Sequence, residues 1–211
     1  MKRYWILPAV LTVALAACGG GKPSSSQMQS SQAAAQPANT PTAQQPATQA
    51  ADTDASSAPM TTPDWFHYDK ATNSVRMTIT AGLTPVLNHW NFNGGTHGNI
   101  IITVPEGAKV TLTFTNADSA MAHTLGIVDK VGGYSATPTL PPVFKGAVTT
   151  PHSAAAGINP GKSQTLHFTA SKAGNYAMIC YMAGHAVLGM WLHFDVSAAG
   201  KAGVQSLVAG S

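Results

Sequence analysis

Charge is scarce in this chain. Of its 211 residues only 9% are Asp, Glu, Lys or Arg, with 11 basic side chains against 8 acidic ones. So even a balance excludes a basic groove for nucleic acid. Cysteine is scarcer still: Cys18 and Cys180 are the two in the sequence, too few for a disulfide framework or a cysteine-rich zinc site. No apolar run is long enough to span a bilayer, and no segment sustains a helical period. What is present is a 44% share of hydrophobic residues, enough for a core. Eight histidines and eight methionines could supply a metal site with imidazole and thioether.

The chain reads in successive parts. Residues 1–17 have the pattern of an export signal: Lys2 and Arg3, then an apolar stretch from Trp5 to Ala17 that is too short to cross a membrane. It ends in Leu15-Ala16-Ala17-Cys18, which resembles a bacterial lipobox with Cys18 as the lipid-attachment residue. An ordinary signal cleaved nearby, leaving Cys18 incidental, is the alternative. Gly19 rather than Asp follows Cys18, so an anchor facing the periplasm is expected on the outer membrane more than the inner. Residues 18–63 read as a disordered tether, because all but five residues from Ser24 to Pro63 are Ser, Gln, Ala, Pro or Thr. Such a segment buries too little apolar surface to offset its ordering entropy, and its reach is on the order of 35 Å.

Residues 64–197 read as the folded domain, and 198–211 as a flexible tail. Val75, Met77 and Ile79 alternate with Arg76, Thr78 and Thr80, and Val110, Leu112 and Phe114 alternate with threonines. Ile100–Val104 is a β-branched run stopped by Pro105-Glu106-Gly107. Further strands are expected at 124–128, 166–168, 176–180 and 191–196. Many short strands separated by Gly, Pro and Asn turns predict an all-β Greek-key sandwich. The stretch from Lys130 to Lys162 is rich in Pro and Gly and reads as a long loop with one short strand near Phe144.

One segment concentrates the chemistry. Cys180, His185 and Met190 stand in the pattern C-x₄-H-x₄-M. Cys180 closes one strand, His185 lies in the turn and Met190 opens the next strand, so a single loop can aim three donors at one point. His123, which opens the strand at 124–128, is the best candidate for a fourth. Two imidazoles, one thiolate and a weak thioether form the trigonal His₂Cys set with axial Met that suits one electron-transfer copper ion. Met121 is a weaker candidate for the axial place, and Met182 sits too near Cys180 to reach it. His67, His89, His97, His152, His167 and His193 read as non-ligands; His167 and His193 alternate with apolar residues and should face outward. Tyr176 reads as a structural corner residue, Met178 as core, and Trp90 and Trp191 as core or rim.

These residues carry a resemblance to the cupredoxins, the type 1 (blue) copper proteins, and within them to the sulfocyanin and rusticyanin branch. It covers about 64–197. Gly174-Asn175-Tyr176-Ala177-Met178-Ile179-Cys180 matches the family's lead-in to the cysteine ligand. The x₄/x₄ loop is similar to that branch. Asn91-Phe92-Asn93-Gly94, Gly98-Asn99-Ile100 and Val104-Pro105-Glu106-Gly107 resemble sulfocyanin's amino-terminal strands. The resemblance implies His123, Cys180 and His185 as equatorial ligands, Met190 as axial ligand, and Thr124 as a residue linking the two ligand loops. It departs at Tyr181-Met182-Ala183, where sulfocyanin tends to have smaller residues and a proline. It also implies that His185 reaches the surface as an electron port inside an apolar patch of Ala186, Val187 and Leu188, where redox proteins would dock.

The expected function is that of a membrane-tethered electron carrier cycling Cu(I)/Cu(II) between extracytoplasmic partners, monomeric and without a catalytic reaction of its own. A copper-binding lipoprotein for storage, delivery or tolerance is the alternative, and it predicts labile metal behind an open, Met-rich entry. An oxidase would need a second copper centre, for which the histidines offer no clear cluster.

Overall fold

Alternating apolar and threonine-rich segments build two sheets that pack face to face. The computed structural model describes residues 59–207. The signal sequence, Cys18 and nearly all of the tether lie outside the described residues, as do the last four residues of the tail. Among the described residues there are nine strands: β1 (Phe66–Asp69), β2 (Ser74–Ala81), β3 (Ile100–Pro105), β4 (Lys109–Asn116), β5 (Gly126–Asp129), β6 (Ser163–Thr169), β7 (Gly174–Ile179), β8 (Trp191–Ser197) and β9 (Gly203–Ser206). One short 3₁₀ segment spans Val86–His89. No helix among the described residues is long and apolar enough to cross a membrane.

The first sheet has the order β1-β2-β4-β6 and the second β5-β7-β8-β3-β9. Two pairings, β2 with β4 and β3 with β8, are parallel; the others are antiparallel. Period-two alternation puts Val75, Met77 and Ile79 of β2 and Val110, Leu112 and Phe114 of β4 on one face, all buried against Leu192, Phe194 and Val196 of β8 in a single core. Truncating a side chain such as Phe114 to Ala would cost about 3–5 kcal/mol through lost burial and the cavity left behind. Tyr176 fastens the end of this core: its hydroxyl donates to the Lys172 carbonyl four residues upstream (3.0 Å), the tyrosine-corner geometry of Greek-key sandwiches.

The domain is larger than the sequence pattern indicates at both ends. The region read as a flexible tail contributes β9, which pairs antiparallel with β3 from Ile100↔Ser206 to Thr103↔Gly203. Thr61, read as tether, bridges Val204. The cause is an otherwise open edge: β3 needs a partner for its outer backbone groups, and Val204 is buried in return.

The 130–162 segment forms no strand at Phe144. Phe144 is nonetheless buried, stacked on Phe168 (centroids 6.0 Å) and edge-on to Tyr176 (5.1 Å). The segment is held by isolated bridges of Val148 to Gly126 and Ile158 to His123. It covers the outer face of the second sheet, where Tyr134, Leu140 and Val148 pack on a second core of Val128, Ala177, Ile179, Tyr181 and Ala186. His193 is half-buried rather than outward, because the Trp191 ring packs against it edge-on (5.2 Å), while His167 is exposed as its alternation predicts.

Candidate metal centre

The sheet order brings the donors together. His123 precedes β5, Cys180 follows β7 and Met190 precedes β8. These strands are neighbours in the sheet, with β7 antiparallel to both flanking strands. All three residues therefore emerge at the same end. His185 hangs in the β7–β8 loop between them.

Ligand atoms of His123, Cys180 and His185 all lie within 4.8 Å of one another, and all three residues are buried. His185 Nδ1 is 3.5 Å from Cys180 Sγ, and the two imidazole centroids are 5.0 Å apart. Met190 is fully buried, its N–H donating to the His185 carbonyl (2.8 Å) and its own carbonyl accepting from the Cys180 N–H (3.2 Å). None of the six histidines read as non-ligands joins the cluster of donors. Gly189 is required beside Met190: its φ of +115° lies where side chains are disfavoured, and a Cβ there would collide with the His97 ring.

His123 is prepared as a ligand. Its Nε2 donates to Asp118 Oδ2 at 2.9 Å, while its Nδ1 is buried with no hydrogen-bond partner. An orphaned buried nitrogen is costly unless something occupies its lone pair, and a metal ion does so. Burial pushes the imidazole pKa down, with Asp118 opposing, which keeps the ring neutral with a free lone pair. Burial pushes Asp118 up. Hydrogen bonds from the Ala120 N–H, His123 and the Met121 N–H outweigh it and hold the carboxyl below its usual range.

Cys180 is held as a neutral thiol that a bound metal ion would deprotonate. Burial raises its thiol pKa, against hydrogen bonds from Thr124 and the Met182 N–H. The Thr124 N–H lies 3.4 Å from the sulfur and its hydroxyl 3.5 Å. The same hydroxyl accepts the Tyr181 N–H at 2.6 Å. With its oxygen engaged as acceptor, the Thr124 O–H is free to donate to sulfur, and the residue ties the His123 and Cys180 segments together.

The port implied for His185 differs from what the structure shows. His185 is only 1% exposed. The Trp90 indole stacks on its ring, centroids 4.1 Å apart and planes 18° from parallel, so Trp90 is a cover over the centre. Ala186 is buried in the second core, while Val187 and Leu188 are exposed. Asp118 and Trp90 are the residues that sequence reasoning missed. Asp118 lies in an Asn-Ala-Asp stretch of ordinary turn composition, and no local pattern connects Trp90 to a histidine 95 positions away.

The Sulfocyanin (SoxE) domain family matches residues 62–203. The chain belongs to the sulfocyanin family. Its relatives include the sulfocyanin of Sulfolobus acidocaldarius, 29% identical over 131 residues that make up 59% of this chain and 64% of that one. The rusticyanin of Acidithiobacillus ferrooxidans is 28% identical over 118 residues, 54% of this chain and 58% of that one. The chain thus spans about three-fifths of the length of these curated relatives. A crystal structure of rusticyanin from Thiobacillus ferrooxidans aligns with 63% of this chain and 88% of its own, at 24% identity and a TM-score of 0.43. As a cupredoxin of the sulfocyanin and rusticyanin branch, the domain has a donor set that fits one type 1 copper ion: thiolate and thioether suit Cu(I), and imidazole serves both oxidation states.

Proposed function

We propose that this sulfocyanin-family protein is a one-electron carrier, tethered outside the cytoplasm to a bacterial membrane through lipidated Cys18. The observation that carries the reading is the buried triad of His123, Cys180 and His185 with a partnerless Nδ1 and a doubly contacted sulfur. A type 1 copper ion held by His123, Cys180 and His185 would supply a reversible one-electron couple. The chain's own residues do the rest. Asp118 and Thr124 hold the ligands in place before any metal arrives, so little rearrangement accompanies a change of charge. The sandwich excludes water from the donors. Met190, adjoining both ligands through the backbone, would offer its thioether as the fourth donor. The residues between Cys18 and the domain act as the tether that sets how far it can search for partners, and electron transfer is the whole of its reaction.

A copper storage or delivery role would need exchangeable metal, whereas the donors here are fully enclosed. The two readings separate in one experiment on the copper-loaded chain. A potentiometric titration is paired with the rate at which a Cu(I)-specific chelator strips the metal. A carrier gives a reversible one-electron wave and slow loss; rapid loss to the chelator without a reversible wave overturns the carrier reading. Tethering is tested separately by metabolic labelling with a radioactive fatty acid. Label should enter the wild-type chain and be absent from Cys18→Ala, and an unlabelled wild-type chain would refute the anchor.

A further inference from the structure

The segment carrying Trp90 has a backbone that few loops adopt. Leu87, Asn88 and His89 take φ values of 51°, 54° and 66° in succession, three adjacent non-glycine residues in the left-handed region. Each is disfavoured, and such conformations persist only where the surroundings over-determine them, most often at functional sites. Here Asn91, fully buried, fixes the loop. Its Nδ2 donates to the Thr84 carbonyl (2.8 Å) and the Val86 carbonyl (3.0 Å), and its Oδ1 accepts the Gly94 N–H (3.0 Å). The Trp90 N–H returns to the Leu87 carbonyl (3.0 Å). The outcome of this construction is the indole lying flat on His185. The indole Nε1 is buried and without a partner, although a buried Trp N–H ordinarily finds one. The ring is therefore placed by its stack on the imidazole and not by a hydrogen bond.

The surroundings of the stack have one character. Leu83 (55%), Val86 (49%), Val187 (47%) and Leu188 (53%) are exposed large hydrophobics, the first two on the Trp90 loop and the last two on the ligand loop. No Asp, Glu, Lys or Arg occurs from Ala81 to Pro105 or from Ala173 to Phe194. His185 itself offers 1% of its surface, whereas Trp90 is only half-buried.

We propose that Trp90, and not the edge of His185, is the electron-exchange contact of this domain. The proposal rests on the copper-carrier reading. In a meeting of a reduced and an oxidised copy, one electron passes through His185 and the indole from one site to the other. One site is oxidised by one electron and the other reduced by one, no proton moves, no bond forms or breaks, and the indole keeps its own electrons.

The test uses the full chain as wild type, Trp90→Phe, Trp90→Leu and Trp90→Ala. Electron self-exchange is read from NMR line broadening in mixtures of the reduced and oxidised copper-loaded forms. Because rates fall steeply when reacting centres lose their positioned contact, Trp90→Leu and Trp90→Ala should slow exchange by about tenfold or more, with Trp90→Phe within about threefold of wild type. If one ringless variant fails to hold copper, the other is read. In the metal-free chain the His185 ring protons should be shifted upfield by the indole in wild type and return in Trp90→Leu. Unchanged or faster exchange in the ringless variants would show that the imidazole edge is the port and overturn the proposal, as would an unshifted His185 ring in wild type. Failure of the carrier reading itself looks different: wild type would then lack the thiolate-to-copper absorption band before any Trp90 variant is compared.

Discussion

Asp118 Oδ2 accepts a hydrogen bond from His123 Nε2 at 2.9 Å, and that contact decides which nitrogen of the ring faces Cys180. The carboxylate is itself fixed. Its Oδ1 accepts the Ala120 and Met121 N–H groups, and Asn116 anchors the turn by accepting the Asp118 N–H and donating to the Met121 and Ile158 carbonyls. A chain of ordinary hydrogen bonds thus runs from the end of β4 to the first copper ligand.

A carboxylate behind a metal-bound imidazole raises the basicity of the ligand and fixes its tautomer. Asp118→Asn removes the negative charge and keeps the shape. The variant should bind Cu(II) about 10–100-fold more weakly and show a higher reduction potential, because the less basic imidazole stabilises the oxidised ion less. Competition titration and potentiometry check both. An unchanged affinity and potential would show that Asp118 serves only to shape the turn.

Thr124 acts on the sulfur. Its hydroxyl donates toward Cys180 Sγ and accepts the Tyr181 N–H. A donor to the thiolate withdraws electron density from the bond to copper, so Thr124→Val should lower the reduction potential. The same change strands the buried Tyr181 N–H and should cost about 1–3 kcal/mol of stability. Thr124→Ser should restore both. A Val variant with the potential of wild type would mean that the hydroxyl matters only to the backbone.

Acid should destabilise the metal-free domain. Burial, reinforced by the nearby His123, holds the His185 pKa down at about 4, against an ordinary value of 6.5. Between those values the unfolded chain binds a proton that the folded chain refuses. The His185 contribution is therefore fully present above about pH 6.5, falls as the pH drops toward 4, and levels off below, with a loss on the order of 3 kcal/mol. His123, also depressed by burial, adds in the same direction. Urea midpoints of the metal-free chain at pH 7 and pH 4 should differ accordingly, and equal midpoints would contradict the account.

Much of the site was legible in the sequence because it is local. Cys180, His185 and Met190 share one loop, and the strands on either side announce themselves, β7 by an apolar run and β8 by alternation, so their convergence follows from connectivity. His123 was legible as the histidine that opens a strand, although the pairing of β5 beside β7 came only with the fold. What stayed hidden depends on contacts far apart in the chain. Trp90 reaches His185 from a loop whose backbone is unusual at three consecutive residues, for which Leu-Asn-His gives no signal. Val204 forms a strand only because β3 has an open edge, and four residues are too few to show alternation. Phe144 enters the core without a strand, anchored by Phe168 and Tyr176 instead of by a ladder.

The central claim is that Cys180 binds copper as a thiolate within this set of donors. The most direct measurement is the visible spectrum of the chain loaded with Cu(II), beside Cys180→Ala treated identically. The account predicts an intense blue or green thiolate-to-copper band in the wild-type protein, bleached by a mild reductant and absent from the variant. A colourless wild-type protein, or one that binds copper equally well without Cys180, would contradict it.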